Sequence, residues 1–303
     1  MTSSHAAALS PAEFDEERSR EILERACGRV GINAGHHAEL LRLGEHAVFR
    51  LPHQLVARVG RGPSHIETAQ REVDVSRWWS AAGIPVVEAH SIEQPVIVSG
   101  HPVTWWAEIP GPLQRGHESA MGSILAQLHE VAPSSEVALP QLQPFDRVTA
   151  RIESAPLTDR SKATLRALHQ ELAEQWHTAT FDLPPGVLHG DAHCANLALG
   201  SDGRHVLIDL ETACLGPREW DLAVTASYVR FGWLTRGKYE EFAEAYGYDV
   251  TQSSCFEFLR RVRELRMTSW LAQRASEPAV AEQVEHRIAS MLDPTLPRKW
   301  GQF

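Results

Sequence analysis

The sequence predicts an α+β chain in two lobes, strand-rich first and helix-rich after, and three observations carry that prediction. Between residues 38 and 109, short apolar or alternating runs recur at strand length, broken by one helical stretch. Pro110-Gly111-Pro112 then interrupts the chain and is its sharpest boundary. Beyond it, apolar residues return at three- and four-residue spacing over several segments, as on the buried face of a helix. Strands first and helices after imply a smaller sheet lobe over 1–109 and a larger helical lobe over 110–303, with a cleft at the hinge.

The elements follow in order. Ser10-Pro11-Ala12-Glu13 reads as a capping box with proline at the first helical position, so the first helix runs to Cys27 and stops at Gly28. Strands are predicted over 38–43, 46–51 and 55–59, separated by Gly44-Glu45 and Pro52-His53 in an antiparallel meander. Ser64 with Glu67 repeats the capping-box pattern and opens a helix that ends before Gly83 and Pro85. Two more strands, 96–98 and 103–109, surround the turn Ser99-Gly100. In the second part, helices are predicted over 118–131, 159–176, 219–230, 238–246, 256–274 and 279–291. Between them, 186–188, 196–199 and 205–210 read as short strands, the last two joined by the turn Ser201-Asp202-Gly203. There is no internal repeat and no low-complexity linker.

Composition narrows the class. The first ten residues lack a charged segment followed by an apolar run, so no signal peptide is expected. No apolar stretch approaches the ~20 residues that span a bilayer. Cys27, Cys194, Cys214 and Cys255 are scattered as reduced thiols in a cytoplasmic setting are. A net charge of −10 argues against nucleic acid as a partner and is compatible with a cationic small substrate. The only lysines are Lys162, Lys238 and Lys299, and arginine supplies the remaining cations.

The chemistry gathers in Val187-Leu188-His189-Gly190-Asp191-Ala192-His193-Cys194-Ala195-Asn196, followed by Leu207-Ile208-Asp209-Leu210-Glu211. One acid, an amide and two imidazoles sit in a short loop between apolar runs, with two more acids in the second stretch, at strand ends where side chains reach a site. A hydroxyl to be phosphorylated needs a carboxylate to orient it, and a nucleotide needs oxygen ligands for magnesium. Asp191, Asn196 and Asp209 offer both. Two other readings stand beside this one. His189, Asp191, His193 and Cys194 are each of a type that binds zinc, as in a zinc-dependent hydrolase, although neither a helical HExxH spacing nor a CxxC pair is present. A structural hairpin without chemistry is the other.

The order His-Gly-Asp, four residues, Asn, then Ile-Asp resembles the aminoglycoside phosphotransferase family, a branch of the protein-kinase-like fold. The resemblance extends to the whole layout: a small antiparallel sheet lobe with one helix, a hinge strand and a mostly helical lobe. It implies a cytoplasmic small-molecule kinase that moves the γ-phosphoryl group of ATP or GTP to a hydroxyl of an antibiotic or metabolite. It also implies the roles. Asp191 serves the acceptor hydroxyl, with His189 the motif histidine that supports its loop, and Asn196 and Asp209 hold Mg2+. Asp221 ties down the loop, and His129 at the end of the 118–131 helix buttresses it.

For the nucleotide, Gly44 occupies the place of a covering loop between the first two strands. Kinase-like enzymes usually put lysine in the third strand, paired with a glutamate of the next helix. Here that strand reads Leu55-Val56-Ala57-Arg58-Val59, and Arg58 replaces the lysine, with Glu72 as its partner. A kinase-like binding protein without turnover is the alternative this replacement leaves open. Val103-Thr104-Trp105-Trp106-Ala107-Glu108-Ile109 is the hinge, where Trp106, Glu108 and Ile109 would face the base. Trp105 and Trp106 alternate, so only one lines that pocket. Glu211 is a possible additional acid, expected on the same strand face as Asp209. Glu257, Glu264 and Asp293 are candidate contacts for ammonium groups. The expected partners are the nucleoside triphosphate and a small hydroxyl acceptor, without nucleic acid or membrane, in a monomer or homodimer. Scarce lysine beside abundant alanine and arginine suits a bacterium of high genomic G+C, for which antibiotic resistance by modification is a fitting role.

Overall fold

The computed structural model describes residues 14–32, 38–111 and 114–302. The helix start predicted at 10–13 lies outside them. The described residues fall into two compact units. The first runs to Gln114 and takes in Ser134–Ala138 and Ala198–Glu211; the second comprises Arg115–Pro133, Leu139–Leu197 and the chain from Thr212 onward.

In the first unit, α1 (Glu16–Val30) starts where the Asp15 side chain accepts from the Arg18 N–H, and it ends on Gly31 in the left-handed region at φ 72°. The predicted stop at Gly28 is therefore three residues early, because Gly31 supplies the C-cap and Gly28 is absorbed into the helix. Strands β1 (Glu39–Leu43), β2 (His46–Leu51), β3 (Leu55–Gly60), β4 (Val96–Val98) and β5 (His101–Ala107) form one antiparallel sheet in the order β1-β2-β3-β5-β4. Strand alternation divides the sheet. Ala47, Phe49, Ala57, Val59 and Trp105 pack with Ile22, Leu23, Ala26 and Cys27 of α1. The register pairs Val48 with Arg58, Arg58 with Thr104 and Val56 with Trp106, so these share the other face. Helix α2 (Ile66–Ala81) buries Glu72, Val73, Ser76 and Trp79. Its predicted capping box does not form: Ser64 lies inside a 3-10 turn, Pro63–His65, and the N-cap His65 makes no side-chain bond.

Strands β8 (Leu197–Leu199) and β9 (His205–Leu207) flank the predicted turn. Leu207 N–H donates to the Pro85 carbonyl and Val87 N–H to the Leu207 carbonyl, each at 2.8 Å. These bonds place Asp209 and Glu211 in the first unit. The two-residue strand β6 (Gln114–Arg115) marks the chain position where the units change over.

In the second unit, β7 (Pro185–Leu188) pairs antiparallel with β10 (Cys214–Pro217), a strand that Gly216 and Pro217 obscure in the sequence. Its helices are α3 (Glu118–Leu128), α4 (Val148–Ser154), α5 (Asp159–Trp176), α6 (Glu219–Phe231), α7 (Arg236–Tyr246), α8 (Phe256–Ala272) and α9 (Pro278–Leu292). Helix α4, seven residues long, was not anticipated. Leu165, Leu168 and Leu172 of α5 join Leu259, Val262 and Leu265 of α8 and Val284 and Ile288 of α9 in one core. Fully burying each such side chain contributes about 1.5–3 kcal/mol. No described helix is long and apolar enough to cross a membrane.

Candidate functional site

The predicted site residues divide between the units, and each half has its own chemistry. In the first, Arg58 projects from β3 and its Nη1 lies 2.8 Å from Glu72 Oε1 on α2. The Glu72 side chain is 5 % exposed and that of Arg58 22 %, so the tether is dry and the cation retains an open side. Burial opposes the charge on Arg58, but Glu72, Asp209 and Glu211 outweigh it and hold the guanidinium protonated. Arg58 also lies over the ring of Trp106, 5.9 Å from its centroid. Of the two hinge tryptophans, Trp106 is thus on the Arg58 face, with Nε1 donating to Thr104 Oγ1 at 2.9 Å, while Trp105 belongs to the α1 core. Glu108 is engaged twice: its N–H donates to the Gln54 carbonyl, and its carboxylate accepts from Arg50 Nε at 2.6 Å. Ile109 is half-buried.

Gly44 sits in the β1–β2 turn, where its N–H donates to the His46 carbonyl and its own carbonyl accepts from Arg61 Nε at 2.7 Å. His46, two residues on at the start of β2, was not anticipated. Burial, then Arg58, push its pKa down to about 3, so it stands as a neutral imidazole near the cation.

Asp209 is not on a strand. It follows β9 at φ 63°, a left-handed conformation that aspartate tolerates better than most residues, and it sends the chain into the 3-10 turn Leu210–Thr212. Glu211 therefore shares no strand face with Asp209, contrary to expectation. The two remain electrostatic neighbours. Burial first, then Asp209, Glu72 and Glu45, push the Glu211 carboxyl up to about 7. Arg71 Nη2 donates to the Glu211 carbonyl at 3.4 Å.

The second unit carries the loop after β7. Gly190 has φ 86°, and a Cβ there would stand 2.2 Å from the Thr212 carbonyl oxygen, so only glycine fits between His189 and Asp191. Asp221, fully buried in the first turn of α6, accepts from the N–H groups of His189 at 2.8 Å and Gly190 at 2.9 Å. His129 Nε2 meets the same carboxylate at 3.3 Å, and its Nδ1 meets Tyr246 Oη of α7 at 2.9 Å. Thr212 Oγ1 donates to the His189 carbonyl and Trp220 Nε1 to the Gly190 carbonyl, both at 2.9 Å. His189 is wholly buried, and its Nδ1 lies 3.4 Å from the Asp191 N–H, a place that supports the loop.

Asp191 is gripped on both oxygens: Arg263 Nη2 is 2.8 Å from Oδ1 and His193 Nε2 3.3 Å from Oδ2. Burial favours its neutral form, but Arg263 and His193 outweigh that and hold the carboxyl well below the usual range. Asn196 Nδ2 donates to the Asp191 carbonyl at 3.0 Å, which commits the amide nitrogen and makes the amide oxygen the atom that could hold a metal. Sequence reasoning missed Arg263, because α8 is rich in charges and none of its spacings marks this one.

The zinc set has no geometric basis. Cys194 is buried and its thiol is pushed up to about 12 by burial, then by Glu118. Among the described residues no three or more His, Cys, Asp or Glu side chains are grouped to hold a metal. The acids considered for ammonium groups are engaged elsewhere. Glu264, 1 % exposed, pairs with Arg260 and Arg298; Glu257 pairs with Arg260; Asp293 accepts from Thr295.

Residues 37–265 match the model of a family described as the phosphotransferase enzyme family, APH. Compared with curated proteins, the sequence has no match. Among solved structures the chain is similar to the amicoumacin kinase hAmiN in complex with AMP-PNP, Ca2+ and Ami, with a TM-score of 0.73 and 13 % identity over 96 % of this chain and 97 % of that one. It is similar to a microcompartment-associated aminopropanol kinase, with a TM-score of 0.67 and 16 % identity over 90 % and 95 %. It is also similar to a spectinomycin phosphotransferase in an AMP-bound complex, with a TM-score of 0.66 and 16 % identity over 91 % and 95 %. These likenesses show the predicted fold: an antiparallel N-terminal sheet followed by a mostly helical part, protein-kinase-like.

Proposed function

The chain belongs to the phosphotransferase enzyme family, and on that premise we propose that it transfers the γ-phosphoryl group of ATP or GTP to a hydroxyl of a small antibiotic or metabolite. The observation that carries the reading is Asp191: an ionised carboxylate on a loop fixed by Asp221, Thr212 and Trp220. An acceptor-only group so held orients a hydroxyl for in-line attack on the terminal phosphorus. The bond from phosphorus to the leaving diphosphate oxygen breaks as the bond to the acceptor oxygen forms, and the hydroxyl proton passes late to the Asp191 carboxylate, which releases it to water. Asp191 is a weak base in this setting, so its contribution is orientation more than proton abstraction.

Arg58 is the proposed phosphate ligand, with Glu72 aiming it; the salt bridge expected of a kinase-like nucleotide site is present despite the change from lysine. That observation favours turnover over a binding role alone. Trp106, Glu108, Ile109 and Gly44 are proposed to border the nucleotide. Magnesium fits the residues present. Asp209 and Glu211 leave the first unit with more carboxylate than Arg58 neutralises, and oxygen donors suit a hard cation. Asn196 and Asp209 are the proposed ligands, and bound magnesium would neutralise charge on the transferring phosphate.

The test is a coupled assay of nucleotide consumption, offering ATP and GTP separately, against a panel of hydroxylated antibiotics and metabolites. Turnover with one acceptor class, abolished by EDTA and restored by Mg2+, is the expected result. A chain that binds neither nucleotide overturns the reading.

A further inference from the structure

We propose that Arg263 is a positioning residue for phosphoryl transfer: from α8 it fixes the Asp191 carboxylate in the orientation that receives the acceptor hydroxyl. The proposal rests on the phosphotransfer reading and lies wholly within the second unit.

The geometry is that of a two-sided mount. Arg263 Nη2 takes Oδ1 at 2.8 Å, and the Arg263 side chain is 11 % exposed. Its backbone is held by Leu259, Val262 and Leu265, all buried in the helical core, so the guanidinium is carried by a rigid element. Tyr228 of α6 is hydrogen-bonded to the same guanidinium. On the other oxygen, the proton position follows from the hydrogen bonds. The Ala195 N–H donates to His193 Nδ1 at 3.2 Å, which makes that nitrogen an acceptor and leaves Nε2 to carry the ring proton that faces Asp191 Oδ2 at 3.3 Å. Each carboxylate oxygen thus accepts one bond and keeps a lone pair for the incoming hydroxyl.

One feature separates this from an ordinary stabilising pair. Asp191 is the loop residue to which the acceptor chemistry is assigned, and its carboxylate is 36 % exposed while its tether is buried, so the open side of the pair is the reactive one. Without the fork, the carboxylate is free to turn about its terminal torsion, and small displacements of a reacting group cost large factors in rate.

The experiment uses the full chain with Arg263→Gln and Arg263→Lys. Both are assayed for kcat and KM with an acceptor from the panel, and for nucleotide hydrolysis with water in the acceptor's place. Nucleotide affinity is measured separately. In Arg263→Gln, kcat is expected to fall about 100-fold with nucleotide affinity within about twofold, and Arg263→Lys, which keeps the charge but not the fork, to recover about tenfold of that. Should Gln prevent folding, Lys alone carries the test, with an expected loss in kcat of about tenfold. A folded Gln or Lys variant with kcat within about threefold of the wild type overturns the proposal. So does an equal loss in both variants accompanied by lost nucleotide binding, which is a purely structural effect. A wild-type chain that turns over neither with water nor with any acceptor removes the phosphotransfer reading itself, and is told apart because the wild type then fails before any variant is compared.

Discussion

Two arginine–carboxylate pairs define the two units, and they are built in opposite senses. In the first, Glu72 is the buried member and Arg58 the one left partly open, so a carboxylate aims a cation. In the second, Arg263 is buried and Asp191 is open, so a cation aims a carboxylate. The same 2.8 Å contact thus serves two chemistries. What decides the role is which partner is tethered on a packed element and which faces outward. In the proposed reaction a phosphate would be met by the open cation and a hydroxyl by the open anion. Counting either pair as a contribution to stability would miss this, since buried ion pairs gain little over well-packed apolar groups.

The largest effect is expected at Asp191. Asp191→Ala is expected to lower kcat at least ~1000-fold while nucleotide affinity stays within about twofold, as measured by turnover and by titration with a fluorescent nucleotide. Lost nucleotide binding in a folded Asp191→Ala protein would contradict the role given to it. The mirror experiment is Arg58→Ala, which should raise the KM for nucleotide ~10–100-fold with a smaller loss in kcat, and Arg58→Lys should restore most of it. An effect on kcat alone would place Arg58 in the wrong half of the reaction. Tyr246→Phe gives the smallest change. It removes the hydroxyl from His129 Nδ1 at the outer end of the chain that reaches Asp221, and should cost about 0.5–1.5 kcal/mol in stability by thermal melting, with kcat nearly kept.

The sequence makes the first pair legible and hides the second. Arg58 and Glu72 sit on neighbouring elements with strand and helix patterns of their own, and the missing lysine draws attention to the arginine. Asp191 is marked by its motif, and Gly190 beside it by a conformation only glycine meets. Arg263, by contrast, lies 72 residues from Asp191, on a helix where Arg260, Arg261 and Arg266 look no different. Such a contact is set by how α8 packs on the core, which no local spacing encodes. The same holds for Asp209. A run of apolar residues continues through Ile208, but the chain leaves the strand at Leu207, and the sign of one φ angle moves Glu211 off the expected face. The early stop assigned to α1 has a simpler cause: two glycines compete for the cap, and the later one adopts the left-handed turn.

The Trp220 indole, buried in the first turn of α6, donates to the Gly190 carbonyl and stands edge-on to Trp176, 6.1 Å between ring centroids. An indole bonded to the peptide that precedes Asp191 is an optical reporter wired into the reactive loop. Any event that shifts the loop alters the polarity and hydrogen bonding of that chromophore, and so its emission. With the other eight tryptophans replaced, that indole would report an acceptor reaching the proposed site, in solution without a label and before any phosphate has moved.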